Sequence, residues 1–200
     1  MCANISHSYE YGYTAGKLAA DWLNTNCSAS QTVACALLTK PQSLAFIDRA
    51  NGIIEGLREN CTFAQIVATK PYSDQASARE MTEQMMREHP KIRCIVGVSD
   101  MSILGAYDAL EAMNLLNEEM CLVGIDASAP VLKKIQEGTV IRGSVSQDTK
   151  GFAEVTIHAA IAAIQGNPLP ESSIKIEAVT MENVAAYLQA EAASHSTPAS

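Results

Sequence analysis

The sequence predicts an α/β fold: a doubly wound, three-layer αβα sandwich on a mainly parallel sheet. Short apolar runs alternate with segments of helical periodicity along nearly the whole chain, which is typical of parallel strands covered by helices on both faces. The stretch from Cys94 to Asp126 shows this unit most clearly. An apolar run ends in Ser99-Asp100, a helix-period segment follows, and a second apolar run ends in Asp126.

The first half of the chain predicts three helices and three strands. Apolar residues recurring every three or four positions indicate helices at residues 8–24, 44–57 and 73–89. Continuous apolar runs indicate strands at residues 32–38, 63–68 and 92–98. Pro41 marks the turn after the first strand, and Pro90 ends the third helix because the residue before a proline avoids helical geometry.

The second half continues the alternation. Helices are predicted at residues 100–113, between the capping residue Ser128 and the stop residue Gly138, at 149–165 and at 181–189. Strands are predicted at residues 121–125, 140–146 and 174–180. The expected strand order is flavodoxin-like, with strand 33–38 near the centre, and a frayed tail is expected from Ala190 onward.

Composition and charge exclude several classes of protein. The chain has 200 residues, of which 48% are hydrophobic and 18% charged, so it can form a substantial core. The net charge of −8 argues against nucleic-acid binding through a phosphate footprint. No apolar run approaches the roughly 20 residues of a membrane span, and residues 1–7 do not resemble a signal peptide.

The cysteines indicate buried thiols rather than a metal or redox site. None of the six forms a CxxC pair. Cys35, Cys94 and Cys121 fall in predicted strands, where a free thiol behaves as a small hydrophobic side chain. Such thiols favour a reducing compartment.

Motifs for catalysis or cofactor binding are missing. There is no glycine-rich nucleotide fingerprint, no P-loop and no nucleophile elbow. None of the four histidines is paired with another ligand at a metal-binding spacing. We therefore expect no cofactor, no metal and no enzymatic activity, and the better expectation is a binding role.

Polar residues gather where such a protein would bind a ligand. In open parallel sheets, ligands sit outside the carboxyl ends of the strands. Arg49, Ser99, Asp126 and Gln147 fall at strand ends or in the first turns of the following helices. Together they offer donors and acceptors that match the hydroxyl groups of a sugar.

Alternative interpretations remain open for these residues. Asp100 either contacts a ligand or caps the helix that it begins. Arg49 alternatively is an exposed helix arginine paired with Asp48 or Glu55, and Gln147 alternatively is a loop amide. Only the common location of these residues favours a site.

The chain resembles the sugar-type periplasmic solute-binding proteins, the ribose- and galactose-binding class of ABC importers. The matching stretches follow one another through nearly all of residues 8–186. They are Ile47-Asp-Arg49-Ala-Asn-Gly52, Val96-Gly-Val-Ser99-Asp100, Leu104-Gly-Ala-Tyr-Asp-Ala-Leu110, Val123-Gly-Ile-Asp126, Ile135-Gln-Glu-Gly138, Val145-Ser-Gln147-Asp148 and Glu182-Asn-Val184.

The resemblance implies a type I periplasmic binding protein fold and assigns ligand-contacting positions to Arg49, Ser99, Asp126 and Gln147. Ser99 stands where members often carry Asn, which removes one amide from the expected site. An aromatic residue often lines this kind of pocket, and the nearest candidate here is Tyr72.

The resemblance also implies two lobes, of which this chain covers the C-terminal one. Residues 1–147 correspond to that lobe, residues 148–174 to a returning piece of an N-terminal lobe that is otherwise missing, and residues 175–200 to a closing strand, helix and tail. The helix at 149–165 is apolar nearly all round and therefore needs burial on more than one side. We expect it to dock onto a second copy as a two-fold dimer, with or without exchange of this helix between the two copies.

Three functions remain open. The first is a solute-binding module for a monosaccharide-class ligand that, as a transport component, would serve an ABC permease. The second is a degenerate relative that assembles without binding sugar, and the third is the effector domain of a LacI-type regulator. The resemblance implies an extracytoplasmic location, whereas the cysteines and the missing signal peptide favour the cell interior.

Overall fold

The computed structural model describes residues 7–167 and 175–195 and confirms the predicted α/β sandwich. The strands are β1 (Val33–Thr39), β2 (Ala64–Pro71), β3 (Ile92–Gly97), β4 (Cys121–Asp126), β5 (Ile141–Gln147) and β6 (Ile176–Val179). The helices are α1 (Ser8–Asn26), α2 (Leu44–Asn60), α3 (Gln75–Glu88), α4 (Asp100–Ala112), α5 (Ala129–Gln136), α6 (Thr149–Gln165) and α7 (Val184–His195).

The six strands form one sheet in the order β2-β1-β3-β4-β5-β6, which contains the predicted flavodoxin-like order. The first five strands are parallel. The expectation that β1 lies near the centre is wrong: it lies one strand from the edge, and β3 and β4 are central. The reason is that only β2 is added beyond β1, whereas three strands are added beyond β3.

β6 runs antiparallel to β5, and Gln147 at the end of β5 pairs with Ile176 at the start of β6. Residues 168–174 are outside the described residues. They include the end of the expected returning segment and residue 174, where the strand at 174–180 was predicted to begin. Residues 196–200 of the expected tail are also outside the described residues.

Local sequence signals set the helix ends. Asp74 caps α3 by accepting a hydrogen bond from the backbone N–H of Ser77, whose side chain bonds back to Asp74 in a capping box. Gly138 ends the α5 region with φ of 72°, a left-handed conformation that glycine adopts without steric cost. Ser128 occupies the predicted N-cap of α5, although its hydroxyl bonds elsewhere.

Helices cover both faces of the sheet. α1 and α2 pack against each other over one face, and α3 and α4 pack against each other over the other. Cys35, Cys94 and Cys121 are neighbours on β1, β3 and β4, are fully buried and are free thiols. Within the described part of the chain, no helix is both long and apolar enough to cross a membrane.

α6 differs from the other helices because it has no substantial packing partner among the described elements. Ile157, Ile161 and Ile164 are 59%, 46% and 86% exposed. The predicted apolar helix is therefore present, and these three isoleucines face solvent in the single chain.

Candidate ligand-binding site

The structure brings the predicted site residues to one edge of the sheet. Tyr72 follows β2, Ser99 follows β3, and Asp126 and Gln147 are the last residues of β4 and β5. Arg49 reaches this edge from the first half of α2. We call these five residues the strand-end cluster.

Arg49 lies at the centre of the cluster and is only 8% exposed. Its Nη1 donates to the carbonyl oxygen of Val98 at 2.9 Å and to Oδ1 of Asp126 at 3.1 Å. Its guanidinium also lies over the rings of Phe46 and Tyr11, at 5.1 and 5.8 Å from their centroids. The alternative interpretation of an exposed arginine paired with a helix neighbour is therefore wrong.

Close packing of α1 on α2 fixes the position of the Arg49 backbone. Gly12 of α1 lies against the main chain of Arg49, and a Cβ at position 12 would come within 2.7 Å of the Arg49 carbonyl carbon. Gly52 of α2 faces α1 in the same way, since a Cβ at position 52 would lie 2.6 Å from the amide nitrogen of Tyr13. The two helices therefore touch through their backbones, and this contact fixes the position of Arg49 relative to the strand ends.

Asp126 presents a carboxylate that is still partly accessible, with its side chain 34% exposed. It accepts hydrogen bonds from Arg49 and from Nε2 of Gln147. Burial raises the pKa of the Asp126 carboxyl above its ordinary value, and the charge of Arg49 acts in the opposite direction. Arg49, Asp126 and Gln147 therefore form a row at this edge of the sheet, in which two hydrogen-bond donors flank one acceptor.

The backbone at Asp126 is unusual for a residue with a side chain. Its φ is 126°, and Ala127 follows with φ of 50°. Such conformations cost about 1–3 kcal/mol each in non-glycine residues and persist only where surrounding contacts hold them. The turn after β4 is therefore held in place by its neighbours, and Asp126 takes its direction from that turn.

Tyr72 and Ser99 form a buried pair next to Arg49 and Asp126. Their hydroxyl oxygens are 2.7 Å apart, and Nζ of Lys40 lies 4.9 Å from the centre of the Tyr72 ring. Burial raises the pKa of the Tyr72 hydroxyl. The serine that stands in place of the expected Asn thus uses its hydroxyl to contact Tyr72.

Asp100 takes a role that neither sequence alternative described. It is 2% exposed, and Ser99 rather than Asp100 occupies the N-cap of α4. Its Oδ2 accepts from the backbone N–H and the hydroxyl of Ser128 at 2.7 and 2.8 Å, and its Oδ1 accepts from the hydroxyl of Ser144 at 2.6 Å. The carboxylate therefore joins the start of α4 to the turn after β4 and to the middle of β5.

The stability of the protein is expected to depend on pH through Asp100, since burial raises the pKa of this carboxyl to about 7. The folded chain then holds the Asp100 proton up to higher pH than the unfolded chain does. This contribution is therefore fully present below about pH 4 and is lost as pH rises through 7. Relative to the variant Asp100→Asn, the free energy of unfolding should fall by on the order of 4 kcal/mol across this interval.

Urea unfolding of both proteins between pH 4 and pH 8 measures this difference, and the other carboxylates cancel between them. The variant is expected to show a constant offset from an altered hydrogen bond to Ser144. A difference between the two proteins that does not change with pH would contradict the prediction.

Four further residues contact the cluster or Asp100 and were not predicted as site residues. Phe46 lies one helical turn before Arg49 on α2, a spacing that could have identified it. Ser144 is one of several polar residues in β5, so its position in the sequence does not distinguish it. Tyr11 and Lys40 reach the cluster only through tertiary packing, and no local pattern marks them.

The chemistry available here suits recognition of polar groups. Among residues 7–167 and 175–195, no three His, Cys, Asp or Glu side chains converge in a way that could hold a metal ion. The cluster contains a guanidinium, a carboxylate, an amide and two hydroxyls, which supply both donors and acceptors. Two surface cavities of about 480 and 750 Å³ lie at the opposite, amino end of the strands and are separate from the cluster.

Comparison with models of known protein families gives a match over most of the chain. Residues 4–168 match the model of the family described as periplasmic binding protein domain. A search of curated proteins found no match.

Several solved structures share the fold. An ABC transporter periplasmic solute-binding protein from Actinobacillus succinogenes 130z with bound D-allose is 20% identical, with a TM-score of 0.79 over 90% of this chain. A Mycobacterium smegmatis protein in complex with β-D-fucofuranose is 23% identical, with a TM-score of 0.80 over 94%. An ABC transporter solute-binding protein from Bacillus halodurans C-125 with bound myo-inositol is 26% identical, with a TM-score of 0.77 over 90%. This chain spans 62%, 61% and 60% of their respective lengths.

Proposed function

Because this chain belongs to the periplasmic binding protein domain family, we propose that its strand-end cluster binds a neutral, hydroxyl-rich ligand of the monosaccharide class. The supporting observation is the buried guanidinium of Arg49. Its Nη1 is bonded to Val98 and Asp126, whereas its Nε has no hydrogen-bond partner in the described part of the chain. A buried donor without a partner is costly, and a ligand hydroxyl would satisfy it.

The charge balance of the cluster supports an uncharged ligand. Arg49 and Asp126 already neutralise one another, so an added carboxylate or ammonium group would be left without a counter-charge in a largely buried place. Ring hydroxyls can donate to Asp126 and accept from Arg49 and Gln147 at once. The solved relatives described above hold D-allose, β-D-fucofuranose and myo-inositol, which are ligands of this kind, and this favours the same class here.

Titration calorimetry tests the proposal directly. We expect D-allose, myo-inositol, ribose, galactose, glucose or arabinose to bind with a dissociation constant on the order of millimolar, because a one-sided cluster buries less of its ligand than an enclosed pocket. Gluconate, which adds a negative charge, and leucine, which lacks hydroxyls, serve as controls. If none of the six sugars and cyclitols binds, or if the controls bind equally well, the proposal fails.

We further propose that the ligand is carried for an ABC importer outside the cytoplasm, in line with the transport class named for the solved relatives. The buried thiols are compatible with that location. Cys94 lies in register with Cys35 on one side and Cys121 on the other, and neighbouring strands are about 4.8 Å apart. Disulfide geometry prefers Cβ atoms about 3.8 Å apart, so the sheet itself opposes oxidation of these pairs. Binding of the protein to a reconstituted ABC sugar permease is the measurement that supports or rejects this role.

A specific observation also favours assembly as a second role. On α6, Ile157, Ile161 and Ile164 follow one another at spacings of four and three, which forms a single apolar seam, and all three are exposed. Residues 155–165 contain no Asp, Glu, Lys or Arg, so two copies of this seam can meet without charge repulsion. We propose an antiparallel, two-fold pairing of α6 with a second copy of the chain.

Light scattering tests the pairing, since the dimer has twice the 21.3 kDa mass of one chain. The double variant Ile157→Lys and Ile161→Lys is expected to be monomeric. Ile54→Lys, on the exposed face of α2, is the matched control and should remain dimeric. A monomeric wild-type chain at micromolar concentration contradicts this pairing.

A further inference from the structure

Hydrogen bonds connect the turn after β4 to Asp100, once through Ser144 of β5 and once directly. The backbone N–H of Ala127 donates to the hydroxyl of Ser144 at 3.0 Å, and that hydroxyl donates to Oδ1 of Asp100 at 2.6 Å. The next backbone N–H, that of Ser128, donates directly to Oδ2 of Asp100 at 2.7 Å. One buried carboxylate thus holds both amides that follow Asp126.

The backbone of β4 passes close to this carboxylate. A Cβ at Gly124 of β4 would lie 3.3 Å from Cγ of Asp100 and closer still to Oδ1. The hydroxyl of Ser128 completes the set of donors at 2.8 Å. Asp100 is therefore surrounded on three sides by β4, β5 and the turn between β4 and α5.

From this geometry we propose that Asp100 is a positioning residue: it braces the Asp126–Ser128 turn and so aims the Asp126 carboxylate at the ligand. At 2% exposure Asp100 does not meet a ligand at the cluster surface, so it acts through Asp126. Asp126 has φ of 126° and Ala127 has φ of 50°, conformations that relax unless the following amides are held. The inference rests on the proposed function, because the aim of Asp126 matters only if the cluster binds a ligand.

The brace itself can be measured without any ligand, by hydrogen exchange of the two amides. In the variant Asp100→Ala, both the Ala127 and the Ser128 amides should exchange at least about tenfold faster. In Ser144→Ala only the Ala127 amide should lose protection, because Ser128 still bonds to Asp100. Asp100→Asn keeps an acceptor for Ser128 and should restore protection.

Ligand binding completes the test, with D-allose and myo-inositol as probes. We expect Asp100→Ala and Ser144→Ala to weaken binding about tenfold or more, and Asp100→Asn to bind as the wild type does. Thr82→Ala is the matched control, since it removes another fully buried hydroxyl that bonds to the carbonyl oxygen of Ala78 at 2.8 Å, in α3. It should leave the affinity unchanged.

The outcomes separate the two proposals. The positioning role of Asp100 is rejected if both amides exchange at the wild-type rate in Asp100→Ala. It is also rejected if the amides exchange faster in that variant while its ligand affinity stays unchanged. If the wild-type chain binds neither probe, the proposed function fails for these ligands, and the exchange pattern still decides whether Asp100 holds the turn.

Discussion

Replacing Gly12 with alanine is expected to lower the free energy of unfolding by about 3 kcal/mol or more, because α1 and α2 leave no room for a methyl group. The added Cβ would lie 2.7 Å from the carbonyl carbon of Arg49 and closer still to its oxygen. These are main-chain atoms, so no side-chain rotation relieves the clash and the helices have to separate. Urea unfolding followed by circular dichroism measures the loss.

Gly166 provides the matched control for this experiment. It has φ of 70°, and a Cβ there would meet nothing within 4 Å. Alanine at position 166 should therefore cost only the penalty of a left-handed backbone, about 1 kcal/mol. Equal losses at positions 12 and 166 would mean that close helix packing does not explain the effect of Gly12→Ala.

The same helix contact links the stability of the fold to the ligand site. Gly12 touches the backbone of Arg49, and Gly16 one turn later touches the backbone of Ile53 on the same helix. Separation of the helices would therefore move Arg49 away from Asp126, which it reaches at 3.1 Å. Gly12→Ala is expected to weaken ligand binding even at temperatures where the protein stays folded.

The convergence of the strand-end cluster could be predicted from the sequence because parallel strands impose it. Every strand of such a sheet ends at the same edge, so residues that follow separate apolar runs meet in space. Asp126 and Gln147 are 21 positions apart and form a hydrogen bond for this reason. Arg49 was also placed at this edge, although its burial depends on glycines in α1 whose partners the local pattern does not reveal.

The internal geometry of the site could not be predicted, because it depends on contacts between distant segments. Nothing in the sequence around Asp126 and Ala127 indicates positive φ, since neither residue is glycine. The role of Asp100 depends on Ser144, and their contact exists only because β4 and β5 are neighbours. Sequence reasoning therefore found which side chains share an edge, and tertiary contacts decide which of them a ligand can reach.

Replacing Asp126 with alanine is expected to weaken binding of D-allose or myo-inositol by about 100-fold or more, because hydrogen bonds to a charged group contribute about 1.5–3 kcal/mol each. The substitution also leaves the buried guanidinium of Arg49 without its counter-charge, which destabilises the folded chain. In calorimetry the first effect should appear as loss of the binding heat that the wild type shows, and urea unfolding measures the second. Asp108→Asn, which changes a carboxylate that bonds to Gln75 on the surface, should alter neither.

A second substitution at the same position separates the lost carboxylate from the backbone conformation. Glycine tolerates φ of 126°, whereas alanine does not, so Asp126→Gly should be more stable than Asp126→Ala by about 1 kcal/mol. Both variants lack the carboxylate, and both should lose ligand binding to the same extent. If Asp126→Gly bound sugar as the wild type does, the carboxylate would not be a ligand contact, and the cluster would recognise its ligand through Arg49 and Gln147 alone.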